Sequence, residues 1–123
     1  MKTGNIVQDK SYAFAIRIVN LYRYLTEKKK ELVLSKQVLR SGTSIGANVE
    51  EGIGAQSKKD FYAKFNVAYK EARETHYWLR ILRDTNYLSL KESTGLLDDC
   101  NELMKIIGTI IKTMKTKFSI PNS

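Results

Sequence analysis

The chain has 123 residues, 42% of them hydrophobic, and a formal net charge of +8, which fits one basic domain with one compact core. Its uncharged run Ile106–Ile111 is far too short to cross a bilayer, and MKTGNIVQDK lacks the apolar segment of a secretory signal. A single cysteine, Cys100, excludes an internal disulfide, so the chain reads as cytoplasmic, with a buried structural thiol and no membrane partner.

Residues 1–4 read as a loose tail, followed by Asn5 as a helix cap with Gln8 as its reciprocal partner. The first helix is predicted over residues 6–28. Val7, Phe14, Ile18, Leu21 and Leu25 recur on one face, widened by Ala15, Val19 and Tyr22. The charged run Glu27–Glu31 ends it, and Lys28, Lys29 and Lys30 suit the negative end of a helix dipole.

The second helix is predicted over 34–55, capped by Ser35. It contains RSGTSIGANVEEGIGAQS (Arg40–Ser57), whose four glycines suggest a loop while Val38, Ile45 and Val49 keep helical spacing. Each interior glycine costs about 0.5–1 kcal/mol against alanine. Gly42 and Gly46, four apart, are therefore read as places where another helix comes close. Ser44, Asn48, Glu51 and Ala55 form a polar stripe beside the apolar one. A phosphate loop is disfavoured, since SGTSIG has neither a Gly-Lys-Ser/Thr ending nor a preceding strand.

The third helix, predicted over 58–86, opens on Ser57 with Asp60 three residues on. Phe61, Phe65, Ala68, Ala72, Thr75, Leu79 and Leu82 alternate steps of four and three, the seam of a left-handed bundle. Val67, Trp78 and Ile81 lie beyond it, with Glu71 and Glu74 in the same extra arc. A separate line, Tyr62, Asn66, Tyr69, Arg73, Tyr77 and Arg80, interleaves aromatic and basic residues.

Residues 86–90 turn, and Ser89-x-x-Glu92 is a capping box for a fourth helix over 90–117. Its seam is Leu96, Cys100, Leu103, Ile107, Ile110 and Met114, flanked every seven residues by Leu97, Met104, Ile111 and Phe118. Residues 119–123 form a polar tail. Four long helical patterns with short connections and no strand pattern predict an all-α, up-down-up-down four-helix bundle over the whole chain.

Little in this inventory does chemistry. His76 is the one histidine, so no histidine pair can hold a metal, and no Glu-x-x-His element occurs. Nothing around Cys100 or His76 activates a nucleophile. We therefore expect no enzyme, cofactor, metal or small-molecule substrate. Asn48, Glu51 and Glu74 are expected to form a hydrogen-bonded network between helices two and three. The wide arcs Val67, Trp78, Ile81, Leu97, Met104 and Ile111 are expected to be covered by further copies of the chain.

SIGANVEEG (Ser44–Gly52) resembles the Ser-Ile-Pro-x-Asn-Ile-x-Glu-Gly signature of bundle proteins related to those encoded by intervening sequences in bacterial 23S ribosomal RNA genes, and Phe61, Ala68 and Glu74 fall where that family has them. The resemblance runs from Asn5 to about Lys117, departing at Gly46, where many members have proline, and at Lys70 and Glu71, where many have Gly-Ser. It implies an up-down bundle assembled as a ring-like homopentamer. It also extends to the basic pentameric accessory proteins of diversity-generating retroelements, which associate with a reverse transcriptase and nucleic acid. It carries over Asn48, Glu51 and Glu74 as structural positions. The expected function is that of a homo-oligomeric bundle binding RNA or an RNA-handling protein through Tyr62, Tyr69, Arg73, Tyr77 and Arg80; the alternative is a structural or protein-interaction module without a nucleic-acid role.

Overall fold

In the computed structural model, residues 6–117 are described, and they form four helices: α1 (Ile6–Glu27), α2 (Leu34–Ile53), α3 (Lys58–Asp84) and α4 (Leu90–Lys117). Consecutive helices pack side by side, α4 closes back on α1 more sparsely, and diagonal pairs stay apart. This is the up-down-up-down four-helix bundle, with no strand among the described residues. No helix is long and apolar enough to cross a membrane.

The ends of the helices have local causes. Ser57 accepts the Asp60 N–H at 3.0 Å to start α3. The Ser89–Glu92 box starts α4 with both reciprocal bonds, at 3.0 and 2.8 Å. Ser35 does not cap α2: it is already helical, and the Val33 preceding the helix offers no side-chain bond. The Glu31 carboxylate caps instead, accepting N–H bonds from Val33, Leu34 and Ser35 at 3.2, 3.0 and 2.6 Å. Lys30, at φ 56°, makes the sharp turn that aims Glu31 at them. α3 stops two residues before the sequence predicts because Asn86 turns left-handed (φ 68°), a conformation asparagine tolerates. α2 likewise ends at Ile53, where the Gly54 and Ala55 N–H groups fold back onto Glu50 and Gly52. The Asn5 cap, Phe118 and both expected tails lie outside the described residues; the Gln8 amide donates to Glu50 at 2.9 Å.

The core follows the seams. Phe14, Ile18 and Leu25 meet Val38, Ile45 and Val49, then Phe65, Leu79 and Leu82, then Leu103 and Ile107. α2 is held closely on both sides. A Cβ at Gly42 would lie 2.7 Å from Ile18 Cγ1, and one at Gly46 would lie 3.3 Å from the Ser11 carbonyl oxygen, both on α1. A Cβ at Gly52 would lie 2.7 Å from the Phe65 ring on α3. Packing along these three contacts offsets the intrinsic weakness of a glycine-rich helix. The Ser41 and Thr75 hydroxyls, both buried, share a 2.8 Å hydrogen bond between α2 and α3.

Candidate nucleic-acid interface

Helix α3 has two outer edges, one toward α2 and one toward α4, and they differ in charge balance. On the α2 edge every prominent charge is matched. Arg40 reaches Glu71 at 3.2 Å and also pairs with Glu74, which accepts the Trp78 indole N–H at 2.9 Å. The Trp78 N–H and then Arg40 hold the Glu74 carboxyl below the usual carboxylate range. Glu51 pairs with Lys64 at 2.9 Å.

This arrangement corrects the expected network of Asn48, Glu51 and Glu74: no hydrogen bond joins them among the described residues. The Asn48 amide donates to the Ser44 carbonyl and hydroxyl at 2.9 and 3.0 Å, one turn back on its own helix. The polar links between α2 and α3 are instead separate: Arg40 with Glu71 and Glu74, Glu51 with Lys64, and Ser41 with Thr75. A side chain as short as asparagine is taken by the nearest partner on its own helix, whereas arginine can span the gap.

The aromatic and basic line is also divided by the fold. Tyr62 is only 6% exposed and joins the core. Tyr69 is half-buried, its ring edge lying 3.4 Å from where a Cβ on Gly108 would stand. Both tyrosines belong to the row that faces α4, and neither is displayed as the line requires. Arg73, Tyr77 and Arg80 do face outward. Tyr77 is 49% exposed, and the Arg80 guanidinium lies 5.9 Å from its ring centre. Arg73 and Arg80 form no ion pair among the described residues, unlike Lys10, Arg17, Arg40 and Lys64, and Arg80 is within electrostatic reach of Asp84. His76 sits between them, and burial, then Arg80, Arg73 and Arg83, push it below its ordinary value. Arg73, Arg80 and Arg83 thus make a positive stripe beside Tyr77 and His76, and its acidic neighbour is Asp84, which pairs with Arg83 at 2.8 Å and lies within electrostatic reach of Arg80.

The apolar arcs need correction as well. Leu97 is buried in the chain's own core, and Trp78, Met104 and Ile111 pack partly against it. Val67 remains 41% exposed. Exposure unmarked by the sequence appears on α1, where Tyr12 is 66% and Ile16 48% exposed. Tyr12 borders a cleft of about 230 Å³ against α2, lined also by Ser11, Ala15, Thr43, Gly46 and Ala47. Off-seam aromatic and aliphatic residues at steps of four were the available signal.

Nothing in these surfaces converges as catalytic groups do. Among the described residues no three His, Cys, Asp or Glu side chains are placed to hold a metal. Burial, then Asp99, pushes the Cys100 thiol up to about 12, and it donates to the Ala72 carbonyl at 3.2 Å. A hollow of about 370 Å³ at the α2–α3 connection contains one titratable side chain, Lys58.

The family model of the 23S rRNA-intervening sequence protein matches residues 3–109. The chain belongs to that family. Its signature stretch, Ser44–Gly52, is the part of α2 that carries Gly46 and Gly52 against α1 and α3. A relative of the chain has a crystal structure: a protein of unknown function from the S23 ribosomal protein family of Bacteroides thetaiotaomicron. The two are 51% identical with a TM-score of 0.89, covering 91% of this chain and 100% of that one. Among curated proteins, none matches the chain.

Proposed function

We propose that this protein is a non-enzymatic, homo-oligomeric bundle that binds RNA, or a protein that handles RNA, through the outward face of α3. The observation that carries the reading is the stripe Arg73, Tyr77 and Arg80, where two arginines that form no ion pair among the described residues bracket an exposed aromatic ring. Unneutralised arginines gain by meeting phosphates, and a tyrosine offers a platform for an unpaired base. Self-association is supported by two unlike apolar surfaces, Tyr12 with Ile16 on α1 and Val67 on α3. Unlike patches that meet head to tail give a ring when the rotation between copies closes; the closed ring and its five copies are what the family resemblance implies.

The reading is tested by fluorescence anisotropy with single-stranded and structured RNA at low and physiological salt. Binding that weakens steeply with salt is expected, and Arg73→Glu with Arg80→Glu should lower the log–log salt slope by about 1.4 for two single-strand contacts. Absence of binding at low salt would leave the second reading, a protein-interaction module built on Tyr12 and Ile16.

A further inference from the structure

The antiparallel course brings the α1–α2 and α3–α4 connections to one end of the bundle, opposite Ile6 and Lys117. Lys29 lies 5.8 Å from the Tyr24 ring centre and within electrostatic reach of Glu92, so the two connections adjoin. This end carries the three most exposed large aliphatic side chains among the described residues: Leu32 at 59%, Val33 at 70% and Leu90 at 74%. The fold does not need them there. Their neighbours Leu34 and Leu88 do the packing against the core.

Charge surrounds these side chains. Lys28, Lys29, Lys30, Lys36 and Lys91 are all exposed. The acids nearby are mostly engaged: Glu31 caps α2, Glu92 caps α4 and Asp84 pairs with Arg83, leaving Glu27. Exposed aliphatic side chains ringed by lysines match a surface that is apolar beneath and anionic above.

We infer that this end of the bundle is a tip that docks on an anionic lipid surface, with Leu32, Val33 and Leu90 entering the headgroup–acyl boundary and the lysines meeting the headgroups. Side chains so placed bind at the interface without any span. Two other occupants fit less well. Aliphatic side chains offer RNA neither stacking nor hydrogen bonds, and a second copy docked end to end would set like-charged lysines against each other. The inference is independent of the α3 stripe.

The test is flotation of the full chain with phosphatidylcholine vesicles, with and without phosphatidylserine. Binding is expected only with phosphatidylserine and should weaken with salt. Replacing Leu32, Val33 and Leu90 together with serine should lower it by at least about tenfold. Lys28→Gln, Lys29→Gln and Lys30→Gln should each lower it about fivefold. All six side chains are exposed, so melting should stay that of the parent. RNA affinity and oligomer mass should be unchanged in the serine variant. The inference is overturned if the parent floats with neither vesicle or equally with both, or if the serine variant binds phosphatidylserine vesicles undiminished. It is also overturned if the serine variant loses RNA or changes oligomer mass, since the tip would then serve one of those contacts.

Discussion

Gly42→Ala is the smallest change that tests how α2 is held. The added Cβ would stand 2.7 Å from Ile18 Cγ1 and 2.8 Å from Ile18 Cγ2. Those two carbons branch from one Cβ, so no χ1 rotation withdraws both, and Ile18 is 0% exposed with no space to move into. α1 and α2 must therefore part slightly. Overpacking of this kind costs about 1–3 kcal/mol. Alanine recovers about 0.5–1 kcal/mol of backbone entropy, leaving a net loss of about 1 kcal/mol. Gly95→Ala is the control: its Cβ would meet only the Arg17 guanidinium, at 3.2 Å, the far end of a long side chain that can shift by a few tenths of an ångström while keeping Asp99, so it should stabilise by up to about 1 kcal/mol. Urea unfolding followed by circular dichroism gives both values. In an Ile18→Ala background, which removes both γ carbons, Gly42→Ala should become neutral or stabilising. A Gly42→Ala protein at least as stable as the parent, with no coupling to Ile18, would refute the close contact.

Glu31→Ala should destabilise by about 1–2 kcal/mol, since it strips the α2 cap. Burial raises the Glu31 carboxyl, but the N–H groups of Leu34, Ser35 and Val33 outweigh that and leave it below its ordinary 4.5. Its contribution is therefore complete above that pH and is lost as pH falls through the lower folded value, so urea midpoints of the parent should drop more steeply in acid than those of Glu31→Ala. Cys100, 0% exposed and with its thiol pushed up to about 12, should not react with Ellman's reagent at neutral pH until the chain is unfolded. Rapid labelling of the native protein would contradict that packing.

The helices were legible because apolar periodicity reports a buried stripe, and Phe61 to Leu82 or Leu96 to Met114 repeat it without interruption. What periodicity omits is where a neighbour's contact arc ends. Tyr62 and Leu97 each lie one step off a seam and could face either way; the close α3–α4 packing buries both. Capping failed for a related reason: Ser35 has the favoured residue type, but a turn at Lys30 delivers the longer Glu31 carboxylate first. Of the candidate site, the arginines at 73 and 80 were readable as a line, whereas whether an acid of a neighbouring helix pairs with them depends on which helix stands opposite. Leu32 and Val33 had no signal, because residues in a turn share no period.

The central claim, a self-assembling bundle that takes up RNA, is tested most directly by measuring mass in solution, alone and with RNA, by light scattering or sedimentation at micromolar concentration. The account predicts a closed multiple of 14.1 kDa, five copies by family resemblance, that gains mass when RNA is added at low salt. A 14.1 kDa particle whose mass is unchanged by RNA would contradict it.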